Sequence, residues 1–400
     1  MWDEKSKPLV AEGKLVVVGV VQEQHAERAR LYKQWKKYEF PIAQDSTTSL
    51  GLKVVPVPIL IDEFGFVMSS RPRISQLSDL VNQKTASRKS QAPRLSLEQT
   101  SSKWLLAHPS GDSFMSAVAA GDALLHETNA GSIDEAILQY QKAELIASSQ
   151  NDLKQTGLVN FRLGVAYRSR FDALTEAKQD PQDFSSAAQY WARALESDPN
   201  QYIWRRRIQQ YGPQQIKPYP FYDWVEQAQA AITARGDSPI PLTVPLSGAE
   251  LVQPAKTFNS NNAQEPLSSD HKITRDNKKL IQIHATAIPQ KIAAGETTRI
   301  HLCMTPDSGY WNNQSTPLVI WIDASEAGTP SDTRLVHPHV KSPSSQETRT
   351  LEFEFKTNSN LTKNIKISGY ALYYVCDSDD GQCIYRRQDI SIPIQIASEN

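Results

Sequence analysis

Three patterns of hydrophobic and polar residues follow one another along this chain of 400 residues. β-Branched runs such as Lys14–Val21 (KLVVVGVV) dominate up to about residue 85. From about 112 to 235, apolar residues recur at helical spacing, as in Asn160–Arg168 and Phe184–Asn200. From residue 280 onward, apolar and polar residues alternate in at least six runs, which is typical of strands with one buried face. The patterns predict an α/β block, then an all-α block, then an all-β block.

The first block has the element order of an α/β sandwich. Lys14–Val21 is predicted to be a strand buried on both faces of a parallel sheet. An amphipathic helix over 26–38 follows it. The remaining predicted elements are strands at Phe40–Ala43, Val57–Ile61 and Phe66–Ser69 and a helix at Ile74–Val81.

The segment VVPVPILID, followed by EFGFV, resembles the thioredoxin-like family (TlpA and peroxiredoxin relatives) over residues 1–85. The resemblance implies that Val55-Pro56 is a cis-proline pair. The family places a strand and WCxxC ahead of the segment aligned with Lys14–Val21, but the chain's cysteines are Cys303, Cys376 and Cys383. We therefore expect an incomplete thioredoxin-like domain without dithiol chemistry, either because this lineage lost the site or because the chain is a fragment of a longer oxidoreductase.

Residues 22–28 (QEQHAER) open the helix after the first long strand, where α/β folds commonly bind ligands. His25 with Glu23 or Glu27 could act as an acid/base pair. Alternatively, Glu23 and His25 could only cap and charge-match the start of the helix.

The helical block repeats small and aromatic residues in a regular way. Its better copy has Leu163-Gly164 and Tyr167 in one helix, and Trp191 and the phrase ALESDP in the next, while a weaker copy contains Tyr140. This block resembles tetratricopeptide repeats, which implies all-α helical hairpins presenting a groove to a protein or peptide partner.

We expect the groove to involve five residues, namely Tyr140, Tyr167, Trp191, Arg205 and Arg206. The two arginines belong to a basic–aromatic stretch that could bind an anionic ligand or could only complement a helix dipole. The helical block could also be a spacer between domains.

In the last block, Cys376 and Cys383 flank a turn at Asp377–Gly381 and would meet across a β-hairpin. The hairpin resembles the amino-terminal domain of bacterial thiol:disulfide interchange reductases, which implies an all-β immunoglobulin-like sandwich with a redox-active cysteine pair. A structural disulfide, an exchange-active dithiol and two inert thiols all remain open.

The predicted organisation is multidomain. It comprises an incomplete thioredoxin-like domain at 1–85, a linker at 86–108, a tetratricopeptide-like module at 109–250, a linker at 251–278 and a β-sandwich at 279–400.

Composition narrows the choice of partners. A net charge of −1 provides no electrostatic footprint for nucleic acid. No apolar run approaches the roughly 20 residues that span a bilayer. The start MWDEKSKP lacks the apolar region of a signal peptide, whereas a paired cysteine hairpin favours a compartment where disulfides persist. We expect an extracytoplasmic, periplasmic location, and neither a cofactor nor a metal site.

The sequence predicts a redox-associated interaction or scaffold protein that binds its partner through the helical repeats. The alternative is a thiol–disulfide oxidoreductase acting through Cys376 and Cys383.

Overall fold

The computed structural model describes residues 2–83, 112–127, 130–173, 179–214, 221–251, 266–323, 325–377 and 381–397. The predicted first linker lies outside these residues. Within them, helices and strands both occur, so the chain is a mixed α and β protein. It divides into two compact units. One comprises Met1–Ala166, Ala194–Arg205 and Trp224–Val244, and the other comprises Tyr167–Arg193, Arg206–Asp223 and Pro245–Asn400.

The described residues form nine α-helices. They are α1 (Trp2–Ala11), α2 (Ala26–Lys36), α3 (Leu77–Val81), α4 (Phe114–Leu125), α5 (Ala130–Gln150), α6 (Leu153–Ala173), α7 (Pro181–Ser197), α8 (Tyr202–Gln209) and α9 (Trp224–Thr233).

Fifteen strands occur in the same residues, four of them before the helical region. These four are β1 (Gly19–Val21), β2 (Ile42–Gln44), β3 (Leu60–Ile61) and β4 (Val67–Ser69). The later strands are β5 (Ile281–Ile288), β6 (Lys291–Ile292), β7 (Thr297–Pro306), β8 (Tyr310–Asn312), β9 (Val319–Ile322), β10 (Gly328–Pro330), β11 (Arg334–Val336), β12 (Ser344–Ser345), β13 (Arg349–Thr357), β14 (Ile365–Cys376) and β15 (Cys383–Ile396).

The strands of the first unit form two small separate sheets. β1 pairs with β2 in parallel, and β3 pairs with β4 in an antiparallel hairpin. The prediction that Lys14–Val21 is a strand buried on both faces is wrong. Only its last three residues form a strand, and Val16, Val18 and Val20 are exposed, with 80% of Val16 accessible. A β-branched run predicts an extended backbone, but it cannot show whether other layers cover both faces.

Close packing joins the first two long helices of this unit. Gly121 of α4 lies against the Tyr140 ring of α5, and a Cβ atom at residue 121 would come within 2.5 Å of a ring carbon. A glycine here lets the two helices approach closely, as small residues do at helix crossings.

Two larger sheets of the second unit share one hydrophobic core. The first has the order β10-β13-β7-β5, and the second has the order β11-β9-β14-β15-β6 with β8 and β12 attached. Residues on facing sides of both sheets, including Leu302, Phe353, Ala371 and Val375, belong to one buried cluster. The six alternating runs predicted after residue 280 are confirmed as strands. Their residues alternate because one face of each strand packs into this core.

Part of the predicted second linker is ordered along β15. The N–H of Asp276 donates to the Arg387 carbonyl, and the N–H of Arg387 donates to the Thr274 carbonyl. The hydroxyl of Tyr370 donates to Asp270, a 2.8 Å bond between buried groups. Residues 266–278 therefore extend the second unit.

Candidate functional site

Polar residues converge where β1 and β2 end. The two strands are parallel, so the loops that follow them meet at one edge of the small sheet. The side-chain amide of Gln44 donates to the carbonyls of Glu23 and Gln24, at 2.9 and 2.6 Å, and ties the end of β2 to the loop after β1. This edge is where open α/β sheets commonly bind ligands.

The loop after β1 is held by its own carboxylate. Glu23 Oε1 accepts hydrogen bonds from the N–H groups of Gln24 and His25, at 2.8 and 3.0 Å. His25 is the N-cap of α2, although its side chain makes no capping bond, and Arg28 in the first turn is almost fully buried. This loop thus leads directly into the amino terminus of α2, which carries a partial positive charge.

Glu23, one of the two carboxylates predicted as acid/base partners of His25, lies near it. Glu23 Oε1 lies 3.6 Å from His25 Nδ1, whereas Glu27 accepts a 2.8 Å hydrogen bond from the Thr243 hydroxyl. Because Glu23 also binds two backbone N–H groups, its geometry is that of a residue that fixes the loop.

The loop after β2 is fixed in the same way. Asp45 Oδ1 accepts bonds from the N–H and the hydroxyl of Ser49, at 2.8 and 2.9 Å. Thr48 has a φ of 58°, in the left-handed region that a β-branched residue rarely adopts. The hydroxyls of Thr47 and Thr48 are buried and make no hydrogen bond. Two preorganised loops therefore hold buried donors at one edge.

The predicted cysteine pair is joined. Cys376 and Cys383 form a disulfide at directly opposed positions of β14 and β15. Cys376 is 1% exposed, whereas Cys383 lies on the surface. The two cysteine residues therefore differ sharply in their exposure to solvent. Residues 378–380 of the predicted turn lie outside the described part of the chain.

Two half-buried tyrosines lie next to this pair. The rings of Tyr374 and Tyr385 are 4.7 Å apart, and this pair lies two register positions from the disulfide along β14 and β15. Burial is the largest cause that raises the pKa of Tyr385, and the neighbouring Tyr374 also contributes.

The structure distributes the five predicted groove residues over different environments. Tyr140 and Trp191 are fully buried, and Trp191 stacks on Tyr211 with ring centroids 5.6 Å apart. Tyr167 is half-buried and stacks on Tyr190 at 5.5 Å. Tyr140 and Trp191 therefore pack inside the protein and are not accessible to a partner.

The two predicted arginines bind the chain itself. Arg205 donates to the Pro199 carbonyl. The guanidinium of Arg206 lies 3.3 Å from the centroid of the Phe221 ring, a cation–π contact. Both side chains remain partly exposed, so they contribute charge at the surface of their helix.

Pro56 lies in an exposed apolar stretch. The Val55-Pro56 peptide bond is cis, and Val54, Val55 and Pro56 are all exposed. In the described residues, many of the exposed large apolar side chains fall between Val10 and Val67.

Sequence reasoning missed a buried ionic cluster in the second unit. Arg299 of β7 pairs with Glu352 and Glu354 of β13, in each case with a 2.8 Å contact between nitrogen and oxygen. His301 Nδ1 lies 3.4 Å from Glu352, and its Nε2 is 2.7 Å from the Tyr211 carbonyl oxygen. Burial alone would raise the pKa of Glu352, but His301 and Arg299 together lower it well below its usual range. The available signal was the presence of opposite charges in two of the predicted strands, Arg299 in one and Glu352 and Glu354 in the other.

Cys303 lies on the same strand. Burial raises the pKa of its thiol to about 12, so the thiolate that nucleophilic chemistry needs is scarce at neutral pH. Cys303 therefore packs as a small apolar residue.

The described ranges contain neither a membrane-spanning helix nor a metal-binding cluster. None of the helices there has both the length and the apolar character of a membrane span. No group of three or more His, Cys, Asp or Glu residues in these ranges could hold a metal ion.

No family model matches the chain, and no curated protein matches it. A solved structure described as "AvmM Catalyzes Macrocyclization in Alchivemycin A Biosynthesis" is 11% identical and matches 30% of this chain and 92% of that chain, with a TM-score of 0.18. A TM-score this low supports neither a fold nor a function for this chain.

Proposed function

We propose that this chain is a redox-associated interaction protein whose incomplete thioredoxin-like first block binds a partner and does no dithiol chemistry. The observation that carries the proposal is the row of Val16, Val18 and Val20. Exposure alternates along this run: Val16, Val18 and Val20 are exposed and the residues between them are half-buried, so the three valines lie on one side. Exposed apolar surface of this kind marks interaction sites in folded proteins.

Two further features favour binding over catalysis in this block. It has no cysteine, so it lacks the nucleophile of thiol exchange. Its apolar exposure continues through Val54, Val55 and Pro56, the segment that resembles the cis-proline region of thioredoxin-like proteins. The tetratricopeptide-like helices would add partner contacts through exposed residues such as Arg205.

A test combines binding with chemistry. The full chain and a variant with Val16, Val18 and Val20 changed to Lys would be compared as baits in an extract of the cells that naturally produce it. A matched control changes the exposed Leu138 and Leu145 of α5 to Lys. We expect the valine variant alone to lose its partner. Insulin reduction by the full chain should not exceed that of free thiol, and faster reduction would contradict the proposal.

The exposure of Cys383 favours a second function, thiol–disulfide exchange through the Cys376–Cys383 pair. A partner thiolate would meet Cys383, an exposed residue, before Cys376, a buried one. Titration against a glutathione series separates the two functions. A structural disulfide should lie below about −300 mV, and an exchange-active one between about −120 and −270 mV.

A further inference from the structure

We propose that the loops after β1 and β2 bind a small oxyanion, a phosphate or a carboxylate group. The site is distinct from the exposed valines, and its existence does not depend on partner binding. It combines Thr47 and Thr48 of one loop with the amino terminus of α2, which follows the other loop.

The proposal begins with the position of the two loops. Asp45 donates its N–H to the Val21 carbonyl at 2.8 Å, and the Gln44 amide binds the carbonyls of the loop after β1. These bonds hold the start of the loop after β2, which contains Thr47 and Thr48, against the residues that lead into α2. A ligand at this edge meets both loops at once.

The threonine hydroxyls supply the observation that points to a ligand. Thr47 is fully buried and Thr48 is 6% exposed, and neither hydroxyl oxygen has a hydrogen-bond partner. A buried polar group without a partner costs about 1–3 kcal/mol in general, so such groups usually serve a purpose. The left-handed backbone of Thr48 adds to the cost of keeping a threonine at this position.

The chemistry of the remaining groups favours an anion. The carboxylate of Glu23 is bound by two backbone N–H groups, and that of Asp45 is bound by Ser49, so both acids are used within their own loops. What the edge offers to a ligand is the hydroxyl groups of Thr47 and Thr48 and the positive end of the 11-residue helix α2. Donors and positive charge together suit an oxyanion.

The test measures thermal unfolding of the full chain in phosphate, sulfate, acetate or chloride at constant ionic strength. We expect at least one oxyanion to raise the unfolding temperature above its value in chloride. Phosphate and sulfate acting alone identify a tetrahedral ligand, and acetate acting alone identifies a carboxylate.

Three variants locate the effect. Thr47→Val should weaken oxyanion binding roughly ten- to hundredfold, the value of a hydrogen bond to a charged group. Thr156→Val is the matched control, because the Thr156 hydroxyl already donates to the Asp152 carbonyl. Thr48→Gly is a second loop variant, which tests the proposal even if Thr47→Val does not fold. It should weaken binding, and glycine accepts the left-handed backbone, so the ligand-free protein should unfold at the same or a higher temperature. An oxyanion effect no larger than that of chloride, or unchanged affinity in both loop variants, would overturn the proposal.

Discussion

Gly121 and Tyr140 are in direct contact between α4 and α5, with no room for a side chain on the glycine. We predict that Gly121→Ala lowers the free energy of unfolding by about 1–3 kcal/mol, because the added methyl must push the ring or separate the helices. Chemical denaturation would measure this loss. Ser149→Ala, at an exposed position of α5, is the control and should change stability by less than about 0.5 kcal/mol. A more stable Gly121→Ala protein would show that the helices are not packed this closely.

Tyr140 also belongs to a buried polar group that links three helices. Its hydroxyl donates to Asp122 at 2.7 Å, and Arg162 binds the same carboxylate through two nitrogens at 2.8 and 3.1 Å. Asp122→Ala should lower the free energy of unfolding by about 3–5 kcal/mol, because it leaves Arg162 buried without its counter-ion. Lys53→Ala, which removes the exposed ion pair with Asp198, should cost at most about 1 kcal/mol. Equal losses in the two variants would contradict this prediction.

The same tyrosine makes stability sensitive to alkali. Burial, and then the charge of Asp122, raise the pKa of Tyr140 well above 10.0. The folded state therefore keeps a proton that the unfolded chain releases near pH 10, so the contribution of Tyr140 to stability is constant below that pH and falls above it. We expect Tyr140→Phe to reduce this alkaline loss in a series of denaturation curves from pH 8 to 11. An unchanged pH slope would mean that Tyr140 ionises as freely in the folded state as in the unfolded chain.

Acid sensitivity should come from the second unit. His301 and Arg299 hold the pKa of Glu352 well below its usual 4.5 despite burial. Stability from this group is therefore present above pH 4.5 and is lost as the pH falls below it. Glu352→Gln should flatten the acid limb of the stability profile between about pH 5 and 2. Asp198→Asn, at an exposed ion pair, is the control, and an acid limb that it alone alters would contradict the assignment.

Thiol accessibility tests the description of the cysteines. In the native protein no cysteine should react with iodoacetamide, because Cys303 is buried with a pKa of about 12 and the other two are joined. After mild reduction, Cys383 should be alkylated before Cys376, since only Cys383 is exposed. Mass-spectrometric mapping gives the order, and early labelling of Cys303 would contradict its burial.

The sequence was most informative about strands that have one buried face. Alternation in IQIHATAI and RTLEFEF predicted strands that the structure contains as β5 and β13. It was least informative about what covers a surface. The run before Val21 was predicted to be buried on both faces, but its face with Val16, Val18 and Val20 is exposed. The burial of Arg299 was not predicted at all.

The candidate site could be predicted only in part. The loop around His25 was a candidate because it follows a strand and opens a helix. The contribution of Thr47 and Thr48 depends on the parallel pairing of β1 with β2 and on the left-handed backbone of Thr48. Neither feature can be read from the local residue pattern. Aromatic residues in the repeats, such as Tyr140 and Trp191, were assigned to a groove, although large apolar rings are more often packed inside.

The central claim is that the exposed valine row of the first block contacts a partner protein. Its most direct test is a photoreactive amino acid placed at Val18 of the full chain in the cells that produce it, with Leu145 as the matched position on α5. We predict that Val18 crosslinks to one defined protein and Leu145 does not, and that the Val16→Lys, Val20→Lys double variant loses the crosslink. No adduct at Val18 beyond the background seen at Leu145 would contradict the claim.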